Sequence, residues 1–550
     1  MKLLLSLLTC LPLATAQFGV RMTKWRMQEM VEETKKSRAA SHARADTDPS
    51  LLYPERWIQV PIDHFRNVSQ YEPHTNETFA LRYWFDATNY KPGGPVITLQ
   101  SGETSGVGRL PFMTKGIVAQ LTQATNGIGV ILEHRYYGES LPTKSFSTAD
   151  LRFLTTEQAL ADQAFFSQNI VFPGFEDVDL TSKTTPHIAY GGSYAGSFVA
   201  FLRLLYPDTF WGAISSSGVP KAIYDYWEYY APHAEYGPPA CIATQQNLID
   251  IIDNIIIRSG SEELTAELKS VFGLSNVTHL DDFADVVSTG ISGWQSLNWD
   301  PAISSNSVFT YCNTITDTTV RTPATAPLRS RVAALVEAAG YSADANTVTS
   351  MLNLIGYVSS SVTSCARRNQ TQDQCFGSYD PADYSADDVN QSWRLWPYQY
   401  CTEWGYLQTG SGVPADQKPL LSRLIDLPHS SLICNYAFNR TEPPETDRIN
   451  KYGGYDISFP RLAWVDGETD PWRPAGVHAF DQGAKDRVST DSEPFILISD
   501  AVHHWDENGV FPNQTNSTFP PQRIKDVQAE EARFVKVWLQ EFEEYKLNFG

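Results

Sequence analysis

The sequence predicts an α/β fold: a largely parallel sheet interrupted by a helical insertion that cysteines staple together. Three observations predict it. Short apolar, β-branched runs alternate with helical patterning through residues 95–216, as βαβ units do. The texture changes after Gly218, where residues 220–445 carry helical periodicity and six of the seven cysteines. Strand signals return at Leu462–Val465 and Phe495–Ile498, so the sheet resumes beyond the insertion.

The elements follow in order. Met1-Lys2, an apolar run from Leu3 to Leu13 and Ala14-Thr15-Ala16 read as a secretory signal peptide over residues 1–16. The run is too short to span a bilayer, and no later segment is long and apolar enough to do so. The mature chain is therefore expected outside the cytosol, secreted and extracellular, with an acidic lysosome- or vacuole-like compartment as the alternative. Residues 17–50 are basic at first (Arg21, Lys24, Arg26, Lys35, Lys36, Arg38) and form either an N-terminal arm or propeptide, or a surface helix.

Residues 51–219 hold the first part of the core. Trp57–Pro61 and Phe79–Phe85 are β-like, and Pro95–Leu99 and Gly129–Glu133 read as central parallel strands. Helical patterning from Met113 to Thr125 joins them, a further helix covers Leu151–Gln168, and Gly212–Ser216 reads as another strand. Residues 446–550 hold the second part of the core and end in an amphipathic helix over Ala529–Tyr545.

Composition narrows the function. At 550 residues the chain exceeds one ordinary core, in keeping with a core plus insertion. A formal charge of −21 argues against nucleic acid or an anionic membrane as partner. Asn-x-Ser/Thr sequons at Asn67, Asn76, Asn276, Asn369, Asn390, Asn439, Asn513 and Asn516 predict glycosylation of an exported chain. Cys241, Cys312, Cys365, Cys375, Cys401 and Cys434 predict disulfides, although six cysteines allow fifteen pairings. No Cys-x-x-Cys or close histidine pairing accompanies them, so neither a metal nor any other cofactor is expected. Spacing leaves monomer and homodimer open.

The chemistry centres on Gly191-Gly192-Ser193-Tyr194-Ala195-Gly196. A buried strand (His187–Tyr190) precedes it and a helical run (Ser197–Tyr206) follows. Strand, tight turn and helix lift a serine hydroxyl above a parallel sheet and aim a helix N-terminus at it. The usual elbow is Gly-x-Ser-x-Gly, and Ala195 holds its second glycine position.

A serine hydroxyl needs a base to take its proton and an acid to orient that base. In such a sheet both follow the serine, each after a late strand. Leu462–Val465 runs into Asp466, Glu468 and Asp470, and Phe495–Ile498 runs into His503 and His504. Spacing favours neither histidine. Asp466 and Glu468 suit a turn, whereas Asp470 sits farther out, before Pro471-Trp472. The developing oxyanion needs backbone N–H donors. Tyr194 supplies one, and the loop after the strand at residues 95–99 supplies the other, at Gly102 or Glu103.

Gly191–Tyr194, Glu133–Ser140 (EHRYYGES), Gly467–Trp472 (GETDPW) and His503-His504 resemble the prolyl (Pro-Xaa) carboxypeptidase and dipeptidyl peptidase II family of serine peptidases, secreted fungal members included. The resemblance spans roughly residues 55–545 and is weakest in the insertion. It implies an α/β-hydrolase core, a helical disulfide-containing cap, and cleavage after proline at acidic pH. Carried over by motif, the triad is Ser193, Asp470 and His503. Trp472 and the aromatics of Tyr224–Tyr230 are expected around the proline ring, the substrate being a proline-containing peptide. The expected activity is that of a carboxypeptidase-like exopeptidase. A prolyl endopeptidase, a dipeptidyl peptidase, a secreted esterase or lipase, and an inactive binding protein on the same fold are the alternatives.

Overall fold

The computed structural model describes residues 24–40 and 52–549, so the predicted signal segment lies outside the described residues, as does most of the N-terminal arm. Eight strands form one sheet: β1 (Arg56–Pro61), β2 (Thr78–Asp86), β3 (Val96–Gln100), β4 (Ile128–Leu132), β5 (His187–Gly192), β6 (Gly212–Ser216), β9 (Leu462–Gly467) and β10 (Phe495–Ile498). Their spatial order is β1-β2-β4-β3-β5-β6-β9-β10. From β4 to β10 every pairing is parallel, while β1 and β2 run antiparallel at one edge. This is the α/β-hydrolase arrangement that the sequence predicts.

Burial explains the composition of the strands. All residues of β3, β4, β5 and β6 are buried, because helices cover both faces of a parallel sheet. The edge strand β1 alternates between exposed and half-covered positions along its first residues instead. Parallel strands also bring their C-terminal ends to one side. Gln100, Gly192, Ser216, Gly467 and Ile498 therefore send the loops that follow them toward a common region, where α/β proteins place their sites.

Between β6 and β9 lies the helical insertion. Its main helices are Pro239–Asp253, Glu262–Val271, Leu280–Ser288, Ser307–Ile315, Ala326–Ala338 and Ala345–Arg367. Periodicity did not reveal its one pair of short parallel strands, β7 (Ile223–Asp225) with β8 (Gly405–Leu407). All six cysteines pair within it: Cys241 with Cys312, Cys365 with Cys375, and Cys401 with Cys434. The basic segment Lys24–Ala40 is helical; Met27 is buried, and Thr34 Oγ1 lies 2.7 Å from Ser392 Oγ of the insertion.

The Glu133–Ser140 motif serves as a brace. Arg135, fully buried, grips Asp162 through two hydrogen bonds of 2.6 and 2.7 Å and donates to the carbonyls of Ile62 and Phe153. Glu133 binds Arg82 at 2.6 and 3.1 Å and accepts from the amides of Gly106, Glu139 and Ser140. Two buried ion pairs with their remaining valences satisfied tie β2, β4 and the helix Thr156–Asn169 into one body.

Candidate active site

Ser193 follows the last residue of β5 and adopts φ 61°, ψ −126°, a conformation that side chains rarely take. Its neighbours hold it there. The Ser193 N–H donates to the Ser216 carbonyl at 2.9 Å, and the amides of Gly196 and Ser197 donate to the Ser193 carbonyl at 2.9 and 3.3 Å. The helix Tyr194–Leu205 begins at once, so its first N–H groups have no partner within the helix.

The small residues of the turn have distinct reasons. A β-carbon on Gly196 would come within 2.9 Å of Ser215 Oγ and Ser216 O, so glycine lets the helix press against β6. Ala195 sits where the expected pattern has glycine. Its methyl is buried, 3.4 Å from where a Gly102 β-carbon would stand. Gly102, at φ 69°, meets that methyl at ordinary contact distance, whereas a β-carbon on Gly191 would stand 3.1 Å from it, so the turn accommodates the methyl because position 191 is glycine.

The late loops bring an acid and a histidine together. His503 Nδ1 lies 2.8 Å from Asp470 Oδ2, and both residues are buried. Asp470 Oδ1 accepts from the Trp472 amide at 2.9 Å, which fixes the carboxylate plane. The loops are laced by Thr469 N and Oγ1, both donating to Ala501 O, at 2.9 and 3.0 Å. His503 Nε2 is buried and has no hydrogen-bond partner among the described residues. Burial pushes the His503 imidazolium down from its ordinary value, against the pull of Asp470.

The other candidate acids are engaged elsewhere. Asp466 Oδ2 is 2.6 Å from His478 Nδ1, and Glu468 Oε2 accepts from the Asp500 amide at 2.9 Å. His504 turns away from Asp470: its Nδ1 is 3.1 Å from Glu507 Oε2, and its N–H donates to Ser217 Oγ at 2.9 Å. Glu507 in turn abuts Gly192, where a β-carbon would meet its Cδ at 2.8 Å. Sequence reasoning passed over Glu507; the signal available was an acid three residues after His504.

In the loop after β3, the Gly102 N–H donates to Gln100 Oε1 at 3.2 Å, so that amide already has an acceptor. Tyr194 aims its ring at the insertion, edge-on to Trp404 and Trp396, with its hydroxyl 3.0 Å from His134 Nε2. Trp472 is buried, stacks on Tyr226 at 5.3 Å and meets Tyr406 edge-on at 5.1 Å; its ring centre lies 6.5 Å from that of His503. Its Nε1 donates to Gln295 Oε1, and Trp294 Nε1 donates to Thr469 O, so the insertion is sewn to the loop bearing Asp470. Away from this region, Asp281, Asp282 and His429 could converge on a cation, but Asp282 is engaged by Ser378 and His429.

Comparison with known proteins places these features in a family. The chain is 54% identical over 538 residues to a probable extracellular serine carboxypeptidase of Arthroderma benhamiae, covering 98% of this chain and 74% of that protein. It is 30% identical over 477 residues to the serine protease vicPa of Bipolaris victoriae, covering 84% and 85%. It is 25% identical over 512 residues to prolyl carboxy peptidase like protein 5 of Caenorhabditis elegans, covering 89% and 90%. A family model described as Serine carboxypeptidase S28 matches residues 61–518. A hydrolase core with a serine turn, and a match over most of its length, make this chain a member of that serine peptidase family.

Proposed function

We propose that the chain is an exported serine carboxypeptidase that hydrolyses the peptide bond after proline, with Ser193 as nucleophile, His503 as base and Asp470 as the acid that orients it. The observation that carries this reading is the 2.8 Å bond between His503 Nδ1 and Asp470 Oδ2, in loops at the same sheet edge as the Ser193 turn. That bond assigns the Nδ1 proton and turns the free Nε2 lone pair to the role of base.

In the first step Ser193 Oγ attacks the proline carbonyl carbon while its proton passes to His503 Nε2. The tetrahedral oxyanion is held by the N–H of Tyr194 and by the loop after β3. There the donors are the amides of Gly102, which also donates to Gln100, and of Glu103, which also faces its own carboxyl. The C–N bond then breaks, and His503 returns the proton to the leaving amine. Water, deprotonated by the same imidazole, cleaves the acyl-enzyme. A histidine whose imidazolium is pushed down by burial suits this task at mildly acidic pH.

Trp472 with Tyr226, Tyr229 and Tyr406 forms an aromatic wall beside His503 that suits a proline ring. The name of the Caenorhabditis relative agrees with that preference, and that of the Arthroderma relative agrees with export. No helix among the described residues is long and apolar enough to cross a membrane. Seven of the eight sequon asparagines are exposed, all but the half-buried Asn390, in keeping with glycosylation.

The test is product analysis by mass spectrometry on proline peptides with free and blocked ends. Release of the single residue after proline, only from peptides with a free C-terminus, is expected, and Ser193→Ala should abolish it. Cleavage of end-blocked peptides, or hydrolysis of plain acyl esters without prolyl peptides, would replace this reading with an endopeptidase or an esterase.

A further inference from the structure

Arg109 ends the short turn Gly106–Arg109 that follows the loop after β3, and it is only 9% exposed. Its Nε donates to the Ser101 carbonyl at 3.1 Å, which fixes the plane of the guanidinium. Its guanidinium lies over the Phe112 ring at 5.9 Å; among the described residues no carboxylate comes within the 4.0 Å of an ion pair with it, and its terminal nitrogens make no hydrogen bond. Neither terminal nitrogen is sealed from solvent, so both stay open to an anionic ligand.

A second oddity stands beside it. Glu103 is 8% exposed, and neither of its carboxyl oxygens is hydrogen-bonded to another residue. The charges of Arg109, His504 and Glu507 all reach Glu103, and its own charge reaches the phenols of Tyr137 and Tyr194. Gly102, next in the chain, packs against Ala195, two residues beyond Ser193. A cation in no ion pair and a carboxyl bonded to no other residue among those described therefore adjoin the serine turn on the side of the loop after β3.

We propose that Arg109, helped by Glu103 and His504, binds the free C-terminal carboxylate of the peptide substrate, and so confines cleavage to the last peptide bond. The inference rests on the carboxypeptidase reading above and deepens it. Planar guanidinium and carboxylate match as a two-bond fork, and partial burial strengthens the match.

Charge agrees with that role in acid. Burial holds the Glu103 carboxyl up at about 7, so below that pH it is neutral and can donate to a carboxylate. Burial opposes charge on His504, but Glu507 outweighs it and raises the imidazolium; Glu507, despite burial, is lowered by His504, Arg109 and His503. With Glu103 protonated, its carboxyl does not oppose a bound carboxylate beside Arg109 and His504. Above about 7 the ionised Glu103 repels the substrate terminus.

The test compares an N-blocked prolyl-phenylalanine with its C-terminal amide, with rates normalised to active serine titrated by an organophosphonate. The wild-type enzyme should favour the free acid at pH 5. Arg109→Gln should lower the acid-to-amide ratio of kcat/KM by about tenfold or more, through KM of the acid, and Arg109→Lys should recover part of it. The wild-type ratio should also fall between pH 5 and pH 8, and Glu103→Gln should flatten that fall. An unchanged ratio in Arg109→Gln, or an equal loss on both substrates, overturns the proposal. A wild-type enzyme with no preference for the free acid overturns the carboxypeptidase reading instead. Should Arg109→Gln bind no phosphonate, the pH dependence of Glu103→Gln decides: a fall as steep as in the wild type rejects the site.

Discussion

His504 and Glu507 form a partly buried ion pair, Nδ1 to Oε2 at 3.1 Å, beside the turn that carries Ser193 and next in the chain to His503. The positive charge on His504 is one of the causes, after burial, that hold the His503 imidazolium below its ordinary value. Because a base must be neutral, a lowered pKa extends activity toward acid. His504→Gln removes the neighbouring cation and frees Glu507 to favour protonation of His503. The acid limb of kcat/KM should then move to higher pH, read from a rate profile between pH 3 and 8 on an uncharged amide substrate. A limb that stays in place or moves lower would contradict this coupling.

Three acids lie in or just after the end of β9, and the structure differentiates their uses. Asp470→Asn should lower kcat by about 10³–10⁴-fold, because the His503 tautomer is no longer held. Asp466→Asn disturbs a bond to His478 and should leave kcat within about tenfold of wild type while lowering stability. Steady-state kinetics and thermal melts on both variants check the contrast.

Gly196→Ala should be worse than Ala195→Gly, although the latter restores the more usual pattern. The added methyl at position 196 meets Ser215 Oγ and Ser216 O at 2.9 Å, an overpacking that costs about 1–3 kcal/mol and displaces Ser193. Ala195→Gly loses a helix-favouring methyl in the first turn, costs about 1 kcal/mol, and should keep the enzyme active. Urea unfolding and turnover of both variants test the order.

Arg135→Met should destabilise the fold by about 3–5 kcal/mol, because it strands Asp162 as a buried charge with only His64 as partner. The loss should appear in the unfolding midpoint even where active-site titration still detects folded enzyme.

Stability should fall as pH rises. Asp506 binds Tyr190 OH at 2.5 Å and Ser216 Oγ at 2.6 Å, with the buried Glu531 beside it. Burial raises both acids, Asp506 to about 6 and Glu531 well above its ordinary value. The folded chain therefore keeps protons that the unfolded chain releases above about 4. The stabilisation is full below that pH and is lost as pH climbs through 6. The melting temperature should drop between pH 5 and pH 8 by an amount on the order of 5 °C. Asp506→Asn should shrink that drop, and an undiminished drop would assign it to other groups.

Much of this protein is written locally. The strands show as apolar, β-branched runs because residues buried on both faces tolerate little else, and the serine turn shows because its sharp geometry restricts which neighbours fit. The order of serine, acid and histidine along the chain follows from the order of the strands that carry them. What the sequence could not decide is pairing. Whether Asp466, Glu468 or Asp470 meets a histidine, and whether His503 or His504 receives it, depends on backbone angles and on hydrogen bonds such as those of Thr469 to Ala501, between segments 32 residues apart. The disulfide partners, the antiparallel edge of β1 and β2, and the placing of Arg109 near Glu103 were hidden for the same reason. Hydrophobic period and turn chemistry act between neighbours in sequence, whereas burial and charge pairing act between neighbours in space, and only the folded chain defines those.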